Sequence, residues 1–256
     1  MIKSFRLFTL LFVLSVCFTL TAQQYEASPT PSLINYNSAN DAIWDLLFAF
    51  DVTAASGAAG NAGTEFDGTS YYTTRWAADL IHEYDATGTM VRQFSIPGVS
   101  GLRDLAYDGA YFYGGASGPT IYQMDFATET LIGTIPVGGG ITVRNIAYDA
   151  GADGFWCGNW ADPVSLIPRA GGAPIAQIAT GLTAQYGSAY DDVSPGGPFL
   201  WVHDQTAGGS VIHQFDIATG TATGVTHDVG PDATDPTIIA GGLWASTDHT
   251  SGFMVL

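Results

Sequence analysis

An aromatic residue followed by aspartate recurs along this chain at an almost fixed spacing. The pairs are Phe66-Asp67, Tyr107-Asp108, Tyr148-Asp149 and Tyr190-Asp191, and they stand 41, 41 and 42 residues apart. A fixed period in this range is the signature of a repeat architecture, in which each copy buries its apolar faces against its neighbours. The repeat therefore limits the possible folds more than any other feature of the sequence.

Each copy continues with further short apolar segments. The second segments are "YYTTRW" from 71, "FYGGAS" from 112, "FWCGNW" from 155, "LWVHDQ" from 200 and, as a fifth, "LWASTD" from 243. Third and fourth segments follow, as in "TIYQMDFATET" and "TLIGTIPV". Four short strands joined by Gly-rich or Asp-led turns are typical of a β-propeller blade. The sequence predicts an all-β β-propeller of about five four-stranded blades, incomplete at its C-terminus.

Two segments bear on how the ring closes. Residues 44–52, "WDLLFAFDV", read as an apolar strand outside the repeats. We expect this strand to pair in the last blade, because closure removes exposed sheet edges. The sequence ends at "SGFMVL", before a full fifth copy, which predicts a fragment of a longer protein.

The repeated residues have structural explanations. Tyr107 and Tyr148 are predicted to pack between blades, while Asp108 and Asp149 cap the turn between first and second strands. Aspartates that lead the turn between third and fourth strands are Asp85, Asp125 and Asp216. Packing leaves the arginines of the repeat unexplained.

Several of these segments together resemble a known group of propellers. The segments "DGTSYYTTRW", "SGLRDLAYDG", "ADGFWCGNW" and "AGGLW" look like the propeller domain of secreted bacterial proteins that are exported with a C-terminal sorting domain. They resemble NHL and YVTN-type propellers more loosely, and the likeness covers roughly residues 44–250. The resemblance implies a fold and an exported protein, and it implies no activity.

The N-terminus reads as an export signal. Residues 1–22 have two cations and an apolar run and are predicted to be a signal peptide, 23–43 a linker and 44–256 the propeller. The whole chain has a net charge of −17, which disfavours nucleic acid and anionic lipid as partners. Cys157 would be the one cysteine of the mature chain and is predicted to be a buried apolar residue.

One face of the predicted disc collects polar and aromatic residues. In a propeller the first strand of a blade starts on the face where the second strand ends, and loops on a rigid scaffold often carry function. The candidate ligand-binding residues there are Arg75, Trp76, Arg103, Asp104, Arg144, Asn159, Trp160 and Asp204. The alternative is that these are ordinary loop residues, with each arginine paired to a nearby acid.

No cofactor is expected, and calcium is the alternative. "DAGADG" at 149–154 and "DVGPDATD" at 228–235 have closely spaced oxygen ligands but lack the full pattern of a calcium loop. The five histidines are scattered, which disfavours zinc.

Three functions fit the sequence. We expect an exported, monomeric, non-enzymatic propeller that binds a glycan, a peptide or a small anion. The first alternative is a hydrolase or lyase of carbohydrate or lactone that uses Asp104, Asp204 or Asp248 as paired carboxylates. The second is a structural or adhesive module of a larger surface protein.

Overall fold

The computed structural model describes residues 44–206, 209–233, 240–249 and 254–256. The predicted signal peptide and linker lie outside these residues. The fold is all-β, as predicted, with four four-stranded antiparallel sheets arranged as the blades of a β-propeller. Within the described residues, no helix is long and apolar enough to cross a bilayer.

Each blade is a simple meander of four consecutive strands. Blade 1 contains β1 (Asn61–Phe66), β2 (Tyr71–Arg75), β3 (Leu80–Tyr84) and β4 (Met90–Phe94). Blade 2 contains β5 (Asp104–Tyr107), β6 (Phe112–Gly115), β7 (Thr120–Asp125) and β8 (Thr130–Pro136). Blade 3 contains β9 (Asn145–Asp149), β10 (Gly154–Gly158), β11 (Val164–Pro168) and β12 (Ala176–Ile178). Blade 4 contains β13 (Gln185–Asp191), β14 (Phe199–Asp204), β15 (Val211–Asp216) and β16 (Thr221–Asp228). Outside the blades lie a short helix α1 (Val52–Ser56) and a 3-10 turn (Gly230–Asp232).

The repeated aspartate links two parts of each blade. Its Oδ1 accepts backbone N–H groups of the turn between the first two strands, as the sequence predicts for Asp108 and Asp149. Its Oδ2 accepts a hydrogen bond from an aromatic side chain of the second strand. These pairs are Asp67 with Tyr72 (3.0 Å), Asp108 with Tyr113 (2.7 Å), Asp149 with Trp156 (2.9 Å) and Asp191 with Trp201 (3.1 Å). The aspartate and the aromatic run after it therefore recur together because they bond to each other.

The cores lie in the seams between blades. Phe112 of blade 2 stacks on Phe126 with ring centroids 3.9 Å apart, and Tyr72 of blade 1 packs against both. Tyr107 and Tyr148 pack against the clusters of consecutive seams, in agreement with the predicted packing role. Cys157 is fully buried in the second of these clusters, and burial raises the pKa of its thiol to about 12.

The fifth copy differs from its prediction. Gly241 and Gly242 lie beside Ala62 of β1 and Gly187 of β13, so residues 240–249 take the innermost position between blades 4 and 1. The segment "LWASTD" is therefore an inner segment and not a second strand. Backbones meet closely here, since a Cβ on Gly187 would lie 2.5 Å from the carbonyl oxygen of Gly241. In the described part of this fifth copy, strand pairing is limited to a single antiparallel β-bridge between Ser246 and Val255.

The prediction that residues 44–52 form a closing strand is also wrong. Residues 45–51 have no regular structure, and α1 begins at Val52. Aromatic side chains hold this segment in place, because Phe48 and Phe50 lie 5.2 and 5.5 Å from the ring of Tyr71. Trp44 stacks on His227 of blade 4 at 4.6 Å. The segment thus covers blades 4 and 1 through packed rings and not through a ladder.

Candidate functional site

Arg103 and Arg144 occupy equivalent places in blades 2 and 3, as the repeat predicts. The backbone N–H of Arg103 donates to Gly115 at the end of β6, and that of Arg144 donates to Gly158 at the end of β10. Both residues directly precede an inner strand. Their side chains therefore lie at one end of the propeller axis.

Each of these arginines stacks on a tryptophan. The guanidinium carbon of Arg103 lies 4.1 Å from the ring centroid of Trp76, and that of Arg144 lies 3.9 Å from that of Trp160. Tyr186 adds a third ring, 4.8 Å from the same carbon of Arg144. Both tryptophans remain 42% exposed. We call the group Arg75, Trp76, Arg103, Arg144, Asn159 and Trp160 the arginine mouth.

The cations of the arginine mouth have no carboxylate partner among the described residues. The two other described arginines do have such partners: Arg92 pairs with Glu83 and Glu129, and Arg169 pairs with Asp108 and Asp153. Burial lowers the pKa of Arg103 and Arg144, and the charge of Arg103 lowers the pKa of Arg144 further. Arg103 therefore lies within range of a charge–charge repulsion that disfavours the charged form of Arg144.

Buried polar atoms without a partner concentrate around this mouth. Buried groups of this kind normally find a hydrogen bond. The Nε atoms of Arg75, Arg103 and Arg144 have none in the described structure, and Asn159 has an unpartnered Oδ1. Asn145, next to Arg144, is fully buried with both side-chain polar atoms unpartnered. The mouth therefore has hydrogen-bonding capacity that the fold leaves unused.

Two predicted carboxylates have bonds of their own near this end. Asp104 is fully buried, and its Oδ2 accepts the backbone N–H groups of Ile146 and Ser188 at 2.9 and 3.1 Å. Asp204 is 2% exposed and accepts the backbone N–H groups of Ala184 and Thr206. Asp104 thus joins inner strands of three blades, and Asp204 joins the loop after β14 to the segment before β13.

Asp248 lies at the opposite end of the axis, which corrects its predicted place at the mouth. The prediction followed from taking "LWASTD" as a second strand. An inner segment runs away from the arginine mouth, whereas a second strand runs towards it. Asp248 therefore lines a cavity of about 250 Å³ at the other end, together with Glu65 and Trp244. The C-terminal ends of the inner strands surround this cavity, whereas their N-terminal ends lie at the arginine mouth.

Glu65 is a residue of this cavity that the sequence reasoning missed. Aligned on the aromatic–Asp pair, it stands where the other three copies have Ala106, Ala147 and Ala189. Its Oε1 accepts the backbone N–H of Phe66 at 2.8 Å. Burial of the carboxyl group raises the pKa of Glu65 to about 8, partly opposed by backbone N–H groups. The departure from alanine in one copy was the available signal.

The two calcium-like segments have other partners where they are described. Asp149 binds its turn and Trp156, while Asp153 pairs with Arg169 at 2.7 Å. Part of 228–235 lies outside the described residues. In the part of the chain that the structure describes, no group of three or more His, Cys, Asp or Glu side chains could hold a metal ion.

Comparison with known proteins identifies the fold and no family. No protein-family model matches the chain, and no curated protein matches it significantly. A solved glutaminyl cyclase from Myxococcus xanthus is similar with a TM-score of 0.59 and 15% identity, over 77% of this chain and 84% of that one. A chain of a mitotic checkpoint complex covers 65% of this chain and 50% of its own length, with 19% identity and a TM-score of 0.43. At such low identity, the likeness to the cyclase supports the propeller fold alone.

Proposed function

We propose that this chain is an exported, non-enzymatic propeller whose arginine mouth binds a small anionic ligand, such as a carboxylated or sulfated saccharide. One observation carries the proposal. Arg103 and Arg144 are neighbouring cations that stack on exposed tryptophans and have no carboxylate partner among the described residues.

The absence of these ion pairs is informative because the chain has a large excess of acids. It contains 24 acidic residues against seven basic ones, so carboxylates are plentiful. Arg144 is buried and Arg103 is partly buried, and two such cations that repel each other destabilise a fold unless another interaction compensates. A carboxylate or sulfate between them would remove the repulsion and satisfy the unpartnered Nε atoms. The planar guanidinium fork suits such groups because it can donate two parallel hydrogen bonds.

The tryptophans add a surface for the rest of the ligand. Each indole is in contact with a guanidinium group on one side and is still 42% exposed. An aromatic ring with a polar edge is well suited to pack against a sugar ring or another flat group. A charged saccharide would combine both interactions, and this is why we favour it over a simple inorganic anion.

The alternatives have less support at this mouth. Hydrolysis by paired carboxylates needs groups that reach the substrate, but Asp104 and Asp204 are only 0% and 2% exposed, and both hold backbone N–H groups. Asp248 lies at the other end of the axis. A purely structural role does not explain why Arg103 and Arg144 lack carboxylate partners among the described residues. We base the proposal of export on the predicted signal peptide at 1–22, and N-terminal sequencing of a secreted product tests it.

Replacing Arg103 and Arg144 together with methionine tests the binding site. Methionine keeps much of the buried volume and removes the charge. The panel contains two acidic saccharides, oligogalacturonate and chondroitin sulfate, and neutral maltohexaose as a comparison. We expect the wild type to bind at least one of the acidic saccharides, and we expect this binding to weaken as the salt concentration rises. Loss of the two charge-assisted contacts should weaken this binding at least about tenfold, as measured by isothermal titration calorimetry.

Arg92→Met is the matched control, because Arg92 lies elsewhere and is paired with Glu83 and Glu129. It should leave binding unchanged. The proposal fails if the wild type binds no acidic member of the panel, or if the folded double variant binds as tightly as the wild type.

A further inference from the structure

A second site is suggested by the cavity at the other end of the axis. Its volume of about 250 Å³ is close to the lower limit for small-molecule pockets. The residues that line it include Glu65, Asp67, Tyr107, Tyr148, Tyr190, Ser188, Trp244 and Asp248. This composition combines carboxyl groups with aromatic rings.

The cavity also contains polar capacity that the fold does not use. Ser188 is 1% exposed, lines the cavity, and its hydroxyl has no hydrogen-bond partner in the described structure. Its backbone N–H is already committed to Asp104, so the hydroxyl is the free group. A buried hydroxyl without a partner is costly unless water or a ligand bonds to it.

Glu65 is not required by the architecture. The other three seams place Ala106, Ala147 and Ala189 at the same position, and all three are almost fully buried. Alanine therefore suffices for packing, and an acid there costs desolvation energy. Because Glu65 destabilises the fold at a position where alanine suffices, we infer that it has a role specific to blade 1.

We propose that this cavity binds a small organic cation, with Glu65 taking the ammonium group and the tyrosines and Trp244 surrounding the apolar part. None of the described residues that line the cavity is a lysine, arginine or histidine. Arg169 stacks on Tyr148, but it is paired with Asp108 and Asp153. Aromatic faces attract cations through the ring quadrupole, most strongly where water is excluded. This site is separate from the arginine mouth and does not depend on its function.

Binding should be coupled to the protonation of Glu65. The acid carries a proton in the empty protein near neutral pH, since its pKa is about 8. An ammonium group beside it favours the ionised form, so the carboxylic acid loses its proton to the buffer as the ion pair forms. The other titratable groups around Glu65 and the cavity are Asp67, Asp104, Tyr107, Tyr148, Tyr190, Asp248 and His249.

The test uses n-butylammonium as the probe, with n-butanol and butyrate as neutral and anionic comparisons. Titration calorimetry at about pH 6.5, in two non-amine buffers of different ionisation enthalpy, gives the affinity and the protons released. We expect n-butylammonium to bind most tightly, with release of close to one proton per complex. Glu65→Ala, which restores the residue of the other copies, and Glu65→Gln should weaken binding at least tenfold and abolish the release.

Glu129→Gln makes the same chemical change at an exposed residue outside the cavity, and it should bind like the wild type. The inference is overturned if the wild type does not bind n-butylammonium, or if it binds n-butanol or butyrate equally well. Unweakened binding by either folded Glu65 variant also overturns it. Should neither variant fold, the selectivity of the wild type decides: tighter binding of n-butylammonium than of n-butanol and butyrate supports the site, and equal binding contradicts it.

Discussion

Trp156→Ala should lower the free energy of unfolding by about 3 to 5 kcal/mol, the range for removing a large buried aromatic side chain. Trp156 is 1% exposed and packs in the seam between blades 3 and 4 with Leu200 and Phe215. Its indole N–H also donates to Asp149 at 2.9 Å, so the alanine variant leaves that carboxylate with one partner fewer. The loss corresponds to a fall in Tm of very roughly 6 to 20 °C for a domain of this size. Thermal unfolding followed by circular dichroism measures it.

Trp160→Ala is the matched control four residues away. Trp160 is 42% exposed and contacts Arg144 and Tyr186 at the surface of the mouth. Its removal should cost no more than about 1 kcal/mol. Trp156→Phe keeps most of the packing and removes the hydrogen bond. Its loss of unfolding free energy should therefore lie between the losses of Trp156→Ala and Trp160→Ala. Equal losses for the alanine variants of Trp156 and Trp160 would show that the seam does not hold the blades together in the way described.

The repeat made most of this fold predictable from sequence. Each copy must bury both faces of a short sheet, so the aromatic–Asp pair and the strands after it keep a constant spacing. The turn caps at Asp108 and Asp149 follow from the same logic, since an aspartate that precedes a tight turn accepts its free N–H groups. The second hydrogen bond, which an aromatic side chain donates to Oδ2, was not predictable because it joins strands whose register the sequence does not specify.

The fifth copy differs from its prediction because two spacings compete there. "LWASTD" starts 43 residues after "LWVHDQ", which agrees with the spacing of the second strands and predicts a second strand. As an inner segment its Trp244 follows Tyr190 by 54 residues, and the extra length includes the long strand β16 and the 3-10 turn after it. The signal that favours an inner position is Gly241-Gly242, because the backbones of inner segments pass within reach of each other near the axis.

The candidate site was predictable in location and not in its interactions. Equivalent repeat positions placed Arg103 and Arg144 side by side, and strand direction placed Trp76 and Trp160 on the same face. Whether an arginine meets a carboxylate or an indole depends on side-chain directions across different blades, which no local pattern encodes. Glu65 was detectable by aligning the copies, because it replaces an alanine that packing alone would keep.

Asp104→Ala should destabilise the propeller by about 2 to 6 kcal/mol, because it leaves two buried backbone N–H groups without an acceptor at about 1 to 3 kcal/mol each. Those groups belong to Ile146 of blade 3 and Ser188 of blade 4, so one carboxylate links blade 2 to both. Asp104→Asn keeps an acceptor oxygen in nearly the same shape. It should therefore retain most of the stability, and urea unfolding of both variants distinguishes loss of the acceptor from loss of the charge.

The effect of pH makes the same comparison sharper. Burial raises the pKa of Asp104 well above its ordinary value of 3.8, although N–H groups of Ile146, Ser188 and Leu105 oppose the rise. Above pH 3.8 the unfolded chain loses this proton while the folded chain keeps it, so the wild type should lose stability as pH rises up to the folded-state pKa. Asparagine has no proton to lose, and the stability of Asp104→Asn relative to the wild type should rise over that window. Glu65 contributes a fall of the same sign between its unfolded value of 4.5 and about 8, and its charge also raises the pKa of Asp104, so wild-type Asp104 and Asp104→Asn are compared in a Glu65→Gln background. A difference that stays constant with pH would mean that Asp104 is ionised in the folded state, held so by its three N–H donors.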